Sequence, residues 1–165
     1  MMADARLKPD APWNANCAVP GVRPRQPQHL RVFDYIGFHA YFLTFCTFER
    51  SPVFVTADAV ALVLEQISRA ARDCSFAVLA YCFMPDHVHL LVEGRSSKQY
   101  RTKLWQRYSY EHVLRDHEKS VDAARYILGN PVQAGLTKRA EHYPYSGSLS
   151  LPRAVLFDWT FGTSG

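Results

Sequence analysis

The sequence predicts an α+β fold organised around an antiparallel sheet. Two observations predict it. The patterned segments run in the order strand, helix, strand, strand, helix, and the two middle strands are joined only through Met84-Pro85-Asp86. So short a link makes a hairpin, because parallel strands need a crossover of a dozen or more residues. The chain has 165 residues, 48% of them hydrophobic and 13% aromatic, enough for one domain with a real core.

Residues 1–30 read as a flexible lead. Pro9, Pro12, Pro20, Pro24 and Pro27 remove backbone donors and block helix. Residues 38–48 read as a strand rich in aromatics and threonine. Alternation places Phe38, Ala40, Phe42, Thr44, Cys46 and Phe48 on one face, with His39, Tyr41, Leu43, Phe45 and Thr47 on the other. Residues 57–73 read as a helix with Val60, Val63, Leu64, Ile67 and Ala71 at helical spacing, and Thr56 as a cap. Phe76–Phe83 and His87–Val92 are the hairpin strands. Residues 94–101 are polar and loop-like. Residues 119–129 read as a second helix that Gly129-Asn130-Pro131 ends or kinks. The last 20 or so residues read as irregular, with Phe157 and Trp159 docking.

This order matches most of a ferredoxin-like split β-α-β sandwich, an antiparallel sheet with helices on one face. A fourth strand is needed. Residues 108–115 are a candidate, although their composition suits helix equally well.

Lysine and arginine exceed aspartate and glutamate by 19 to 15, a formal charge of +4 that is compatible with a polyanion partner. No apolar stretch is long enough for a membrane span. Cys46, Cys74 and Cys82 lie in apolar stretches and read as free thiols of a reducing compartment.

The chemistry centres on His87-Val88-His89. Positions two apart on a strand point the same way, so both imidazoles share one face and can grip one divalent metal. The plain alternative is a half-buried strand pair without a ligand. Two imidazoles hold a metal weakly, so a third donor is expected. Tyr126 and Asn130 lie four apart on one helical face. If that face meets the histidines, Asn130 completes the site and Tyr126 stands one turn away. A tyrosine attacks a phosphate usefully when a metal polarises the phosphorus centre. The alternative for Tyr126 is a packed aromatic, and Tyr100, Tyr108 and Tyr110 compete for the role. Lys98, Arg101, Lys103, Arg107 and Arg115 are interleaved with Trp105 and Tyr108, a pattern that suits backbone phosphates and unstacked bases. A solvated basic face with Trp105 buried beneath it is equally compatible.

Four segments carry a family resemblance: Ala80 to Val92 around Pro85-Asp86-His87-Val88-His89, then Leu104-Trp105-Gln106-Arg107-Tyr108, then Tyr126 to Leu136 around Gly129-Asn130-Pro131, and Tyr143-Pro144-Tyr145-Ser146. Together they resemble the IS200-like, REP-associated tyrosine transposases of the HUH endonuclease superfamily. The resemblance covers roughly residues 35–148. It implies a catalytic domain over 31–148 that acts on single-stranded or hairpin DNA, followed by a tail over 149–165. It implies His87, His89 and Asn130 as ligands to Mg²⁺ or Mn²⁺, and Tyr126 as the nucleophile that forms a 5′-phosphotyrosine. It also implies Lys98, Arg101, Lys103, Trp105, Arg107, Tyr108 and Arg115 as DNA contacts. DNA transposition, a cytoplasmic, nucleoid-associated location and a monomer or homodimer complete the expectation. One departure stands out. About 15–20 residues of the family pattern are missing between the histidine strand and Trp105, which truncates the second helix and predicts uncovered core surface. The alternative function is therefore a catalytically impaired protein that binds hairpin or single-stranded DNA.

Overall fold

The computed structural model describes residues 39–95, 110–114 and 117–162. In chain order the elements are β1 (Ala40–Cys46), α1 (Ala57–Asp73), β2 (Phe76–Met84), β3 (His87–Gly94), β4 (Tyr110–Leu114), α2 (His117–Gln133), β5 (Ser146–Gly147) and α3 (Arg153–Phe161). The five strands form one sheet in the order β4-β1-β3-β2-β5, and every neighbouring pair is antiparallel. The α+β class with an antiparallel sheet is therefore observed. The strand that composition left undecided is β4, at the sheet edge beside β1.

α1 forms where the apolar spacing placed it. Its first turn is capped by Thr56, whose hydroxyl accepts from the Ala59 backbone N–H at 3.4 Å. It ends at Asp73, and Ser75 just beyond takes a left-handed φ of 56° and donates its N–H to the Arg72 carbonyl at 3.1 Å. Its stripe of Val63, Leu64, Ile67 and Ala71 packs on Tyr41, Leu43, Val78, Val88, Leu90 and Val92. An apolar groove of about 380 Å³ remains between α1 and the sheet, lined by Phe45, Phe54, Ile67, Phe76, Val88 and Leu90 among others.

The intervening strand positions form a second core. Ala40, Phe42, Ala80, Cys82 and Leu91 meet Ala123, Ala124, Tyr126, Ile127 and Leu128 of α2 and Leu156 of α3. Burying each large side chain here contributes roughly 1.5–3 kcal/mol. Three expectations are corrected on this side. α2 does not stop at Gly129 but runs through Pro131 to Gln133. Pro131 is fully buried, so packing holds the turn that its missing N–H would weaken. The closing segment is not irregular: residues 153–161 form α3, pinned to α2 by a hydrogen bond from Arg125 Nε to the Thr160 carbonyl at 3.1 Å. Cys74 and Cys82 are free thiols, whereas Cys46, exposed at the end of β1, is disulfide-bonded rather than free.

Among the described residues no helix is long and apolar enough to cross a membrane. The Pro-rich lead over 1–30 lies outside the described residues.

Candidate active site

Register builds the site. Thr44 of β1, His89 of β3 and Cys82 of β2 are direct cross-strand partners, and so are Cys46, His87 and Met84 one step nearer the hairpin. Direct partners share a face. Strand alternation therefore turns His87 and His89 toward α2, together with Phe42 and Leu91. Val88, Leu90 and Val92 turn toward α1. The rings then form a chain. His87 and His89 have centroids 4.7 Å apart, and His89 and Tyr126 5.9 Å apart. Phe42 bridges the last two, at 5.5 Å from His89 and 5.9 Å from Tyr126.

Each imidazole is held at Nδ1 and presents Nε2. The His89 Nδ1 lies 2.8 Å from the Thr44 hydroxyl. The His87 Nδ1 lies 2.7 Å from Asp86 Oδ1. The two Nε2 atoms face each other at 3.1 Å. Burial, then the neighbouring His87 and Arg50 charges, push the His89 pKa down to about 3. Burial also lowers His87, against the opposing pull of Asp86. Both imidazoles are therefore neutral near pH 7, the state in which nitrogen can ligate a cation.

The loop after β1 braces this pair. The Thr47 N–H and hydroxyl both donate to the Asp86 carbonyl at 2.9 Å, and the Phe54 N–H donates to the Pro85 carbonyl at 2.9 Å. Glu49 and Arg50 both hold left-handed φ angles, 51° and 57°. Such a conformation costs about 1–2 kcal/mol per non-glycine residue. The turn it creates brings Arg50 Nε to 2.7 Å from Asp86 Oδ2. Asp86 thus bridges Arg50 and His87.

On α2, Tyr126 is 8% exposed. Burial raises its hydroxyl pKa, and hydrogen bonding from the Asn130 side chain partly opposes that rise. Asn130 Nδ2 donates to the Tyr126 carbonyl at 2.8 Å, in the turn where Pro131 has no N–H to give. That bond leaves Oδ1 as the end of the amide that a cation would use.

The donor set fits a small divalent ion in part. Ligands in adjacent octahedral positions, at about 2.1 Å from Mg²⁺, stand about 3.0 Å apart. The Nε2 separation of 3.1 Å matches that spacing. Among the described residues no group of three histidine, cysteine, aspartate or glutamate side chains converges on one point.

The structure brings His87, His89 and Tyr126 together. Lys98, Arg101, Lys103, Trp105, Arg107, Tyr108 and Arg115 lie outside the described residues, as does Tyr100. Thr44, Asp86 and Arg50 join the site without having been singled out. Adjacency to His87 was the available signal for Asp86. Thr44 required the strand register, and the Arg50 turn is made by two non-glycine residues that carry no local signature.

A family model described as "Transposase IS200 like" matches residues 38–102. A putative REP-associated tyrosine transposase of Haemophilus influenzae is 24% identical over 159 residues, covering 76% of this chain and 90% of that one. The chain is a homologue of the IS200-like, REP-associated tyrosine transposases. The fold agrees with a solved structure of a REP-associated tyrosine transposase bound to a REP hairpin, with a TM-score of 0.58 at 21% identity over 70% of this chain and 79% of that one.

Three of the four segments that carry the transposase resemblance meet around β2 and β3. The first forms most of β2 and β3, and the third closes α2. The Tyr143-to-Ser146 segment satisfies both backbone groups of Phe83. The Tyr143 hydroxyl donates to the Phe83 carbonyl at 2.8 Å, and the Phe83 N–H donates to the Tyr145 carbonyl at 2.9 Å. Arg153 at the start of α3 then clasps the segment. Its guanidinium donates to the carbonyls of Glu141 at 2.8 Å, Tyr143 at 3.0 Å and Ser146.

Proposed function

We propose that the protein is a divalent-metal-dependent single-strand endonuclease and transesterase of the tyrosine transposase type, acting at hairpin-flanked DNA. The ring chain His87–His89–Tyr126 on one sheet face carries this reading, because it sets a pair of neutral nitrogen donors beside a phenol. His87, His89 and Asn130 would hold Mg²⁺ or Mn²⁺, which would polarise the scissile phosphate.

Tyr126 is the nucleophile in this reading. Its phenolic oxygen bonds to phosphorus, and the bond from phosphorus to the 3′-oxygen breaks. The phenolic proton ends on that oxygen. The products are a 5′-phosphotyrosine and a free 3′-hydroxyl, and the retained ester lets strands be rejoined. The basic-aromatic stretch over 98–115 would position the DNA backbone and stack unpaired bases. The catalytic unit spans 31–148 and is ferredoxin-like. α3, within the closing segment 149–165, buttresses α2. The site of action is the nucleoid in the cytoplasm.

The test is covalent capture of labelled single-stranded hairpins on denaturing gels. An adduct is expected with Mg²⁺ or Mn²⁺, none with EDTA, and none with Tyr126→Phe, which should still bind the hairpin. An adduct in the Phe variant would remove Tyr126 from the role.

A second reading is hairpin binding without cleavage. It is favoured by the burial of Tyr126, which disfavours the phenolate. Hairpin binding with no adduct from the folded wild type would select it.

A further inference from the structure

We propose that Thr44 is a positioning residue whose hydroxyl lets His89 exchange tautomers, freeing its Nε2 for a cation, while Asp86, anchored by Arg50, fixes His87 in the ligating tautomer. The inference rests on the metal reading given above.

An ionised carboxylate only accepts, so Asp86 requires the proton on His87 Nδ1. The His87 Nε2 is then a lone pair. It faces the His89 Nε2 at 3.1 Å, so that atom carries the proton and donates. The His89 Nδ1 is in turn a lone pair and accepts from the Thr44 hydroxyl at 2.8 Å. Without a cation, the chain runs in one direction: Thr44 to His89, His89 to His87, His87 to Asp86.

A cation between the two Nε2 atoms needs a lone pair on both. His87 already offers one. His89 does not, and its proton must move to Nδ1, which then needs an acceptor. His89 and Thr44 are both buried, at 4% and 6% exposure, so bulk water cannot supply it. A hydroxyl both donates and accepts, so Thr44 serves either tautomer. A valine of the same shape serves neither. Arg50 completes the arrangement by holding the second oxygen of Asp86 from a strained turn.

Two measurements test this on the full chain. Long-range ¹⁵N NMR in EDTA should show His87 protonated at Nδ1 and His89 at Nε2. His89 protonated at Nδ1 in that state would overturn the proposal, whatever any variant does. Mn²⁺ binding is then followed by electron paramagnetic resonance, with thermal melting in EDTA as the folding control. Thr44→Ser should bind within about threefold of wild type, while Thr44→Val should bind about 10–100-fold more weakly, the usual cost of removing an outer partner. Equal binding by the Ser and Val variants would overturn the role of Thr44 and leave the metal reading standing. No Mn²⁺ uptake by folded wild type would overturn both.

Discussion

Acidification should destabilise the cation-free protein through His89, and the size of the effect follows from its surroundings. The imidazole sits among Phe42, Tyr126 and His87, with Arg50 adding positive charge nearby. Its pKa is about 3 when folded and returns to the ordinary value near 6.5 when the chain unfolds. Above pH 6.5 both states hold His89 neutral and the group is silent. Below that value the unfolded chain takes up a proton that the native state refuses, so stability falls as pH falls. The loss continues until the native group itself titrates near pH 3. Each pH unit inside this window costs about 1.4 kcal/mol. By pH 5 the loss from this group alone is about 2 kcal/mol, a sizeable share of the roughly 5–15 kcal/mol that holds a domain folded. His87, lowered by the same burial, acts with the same sign.

The assay is urea unfolding followed by circular dichroism in EDTA, at a series of pH values from about 7 to 5. Wild type should lose stability steeply over that range. His89→Gln removes the titrating ring, starts less stable at pH 7 because packing is lost, and should lose about 2 kcal/mol less between pH 7 and 5. Parallel losses in the two proteins would refute the argument, since the acid sensitivity would then belong to other groups.

Two further predictions concern the scaffold. Tyr143→Phe leaves the Phe83 carbonyl without its 2.8 Å partner at a site only 7% exposed, so denaturation should show a loss of about 1–3 kcal/mol; an unchanged midpoint would mean that another donor replaces it. Gly147→Ala places a methyl carbon 2.8 Å from the Tyr81 oxygen and 3.1 Å from its ring carbon; the expected cost is about 1–3 kcal/mol, and Tyr81→Phe in the same chain should recover part of it by removing the nearer atom.

What the sequence made legible was local. α1 and the β2–β3 hairpin show their periods within a dozen residues, and Thr56 stands where a cap belongs. The face shared by His87 and His89 needed only strand alternation. β4 was not legible because five residues of mixed aromatic, acidic and branched character fit either period; pairing with β1 decides it. α3 was missed because Ala154, Val155, Leu156, Phe157, Trp159 and Phe161 leave no polar face to reveal a helical stripe. Its helix is settled by docking, with Leu156 and Thr160 buried against the rest. The extension of α2 past Asn130 was hidden for the converse reason: a local breaker, Pro131, is overruled by its own burial.

Long-range register explains why the histidines are so well braced. Thr44 and His89 are 45 residues apart, and Cys82 lies on the far side of His89 in the same row. A one-residue slip of β1 against β3 would turn Phe42 and Thr44 to the opposite face. Phe42 is fully buried against α2, so that slip would take its ring out of the α2 core and force it into the one packed under α1, as well as remove the Thr44 hydrogen bond. The core therefore enforces the register that the site needs. His87 is held differently. Its partner Asp86 is its neighbour in sequence and depends on the hairpin link and the left-handed Glu49–Arg50 turn rather than on the sheet core. The two imidazoles are thus positioned by separate parts of the molecule, His89 by the packed sheet and His87 by a braced loop. Loosening the loop through Arg50→Ala should disturb His87 first and leave the Thr44–His89 contact in place, a distinction that imidazole NMR resolves residue by residue; equal perturbation of both rings would show that sheet and loop act as one unit.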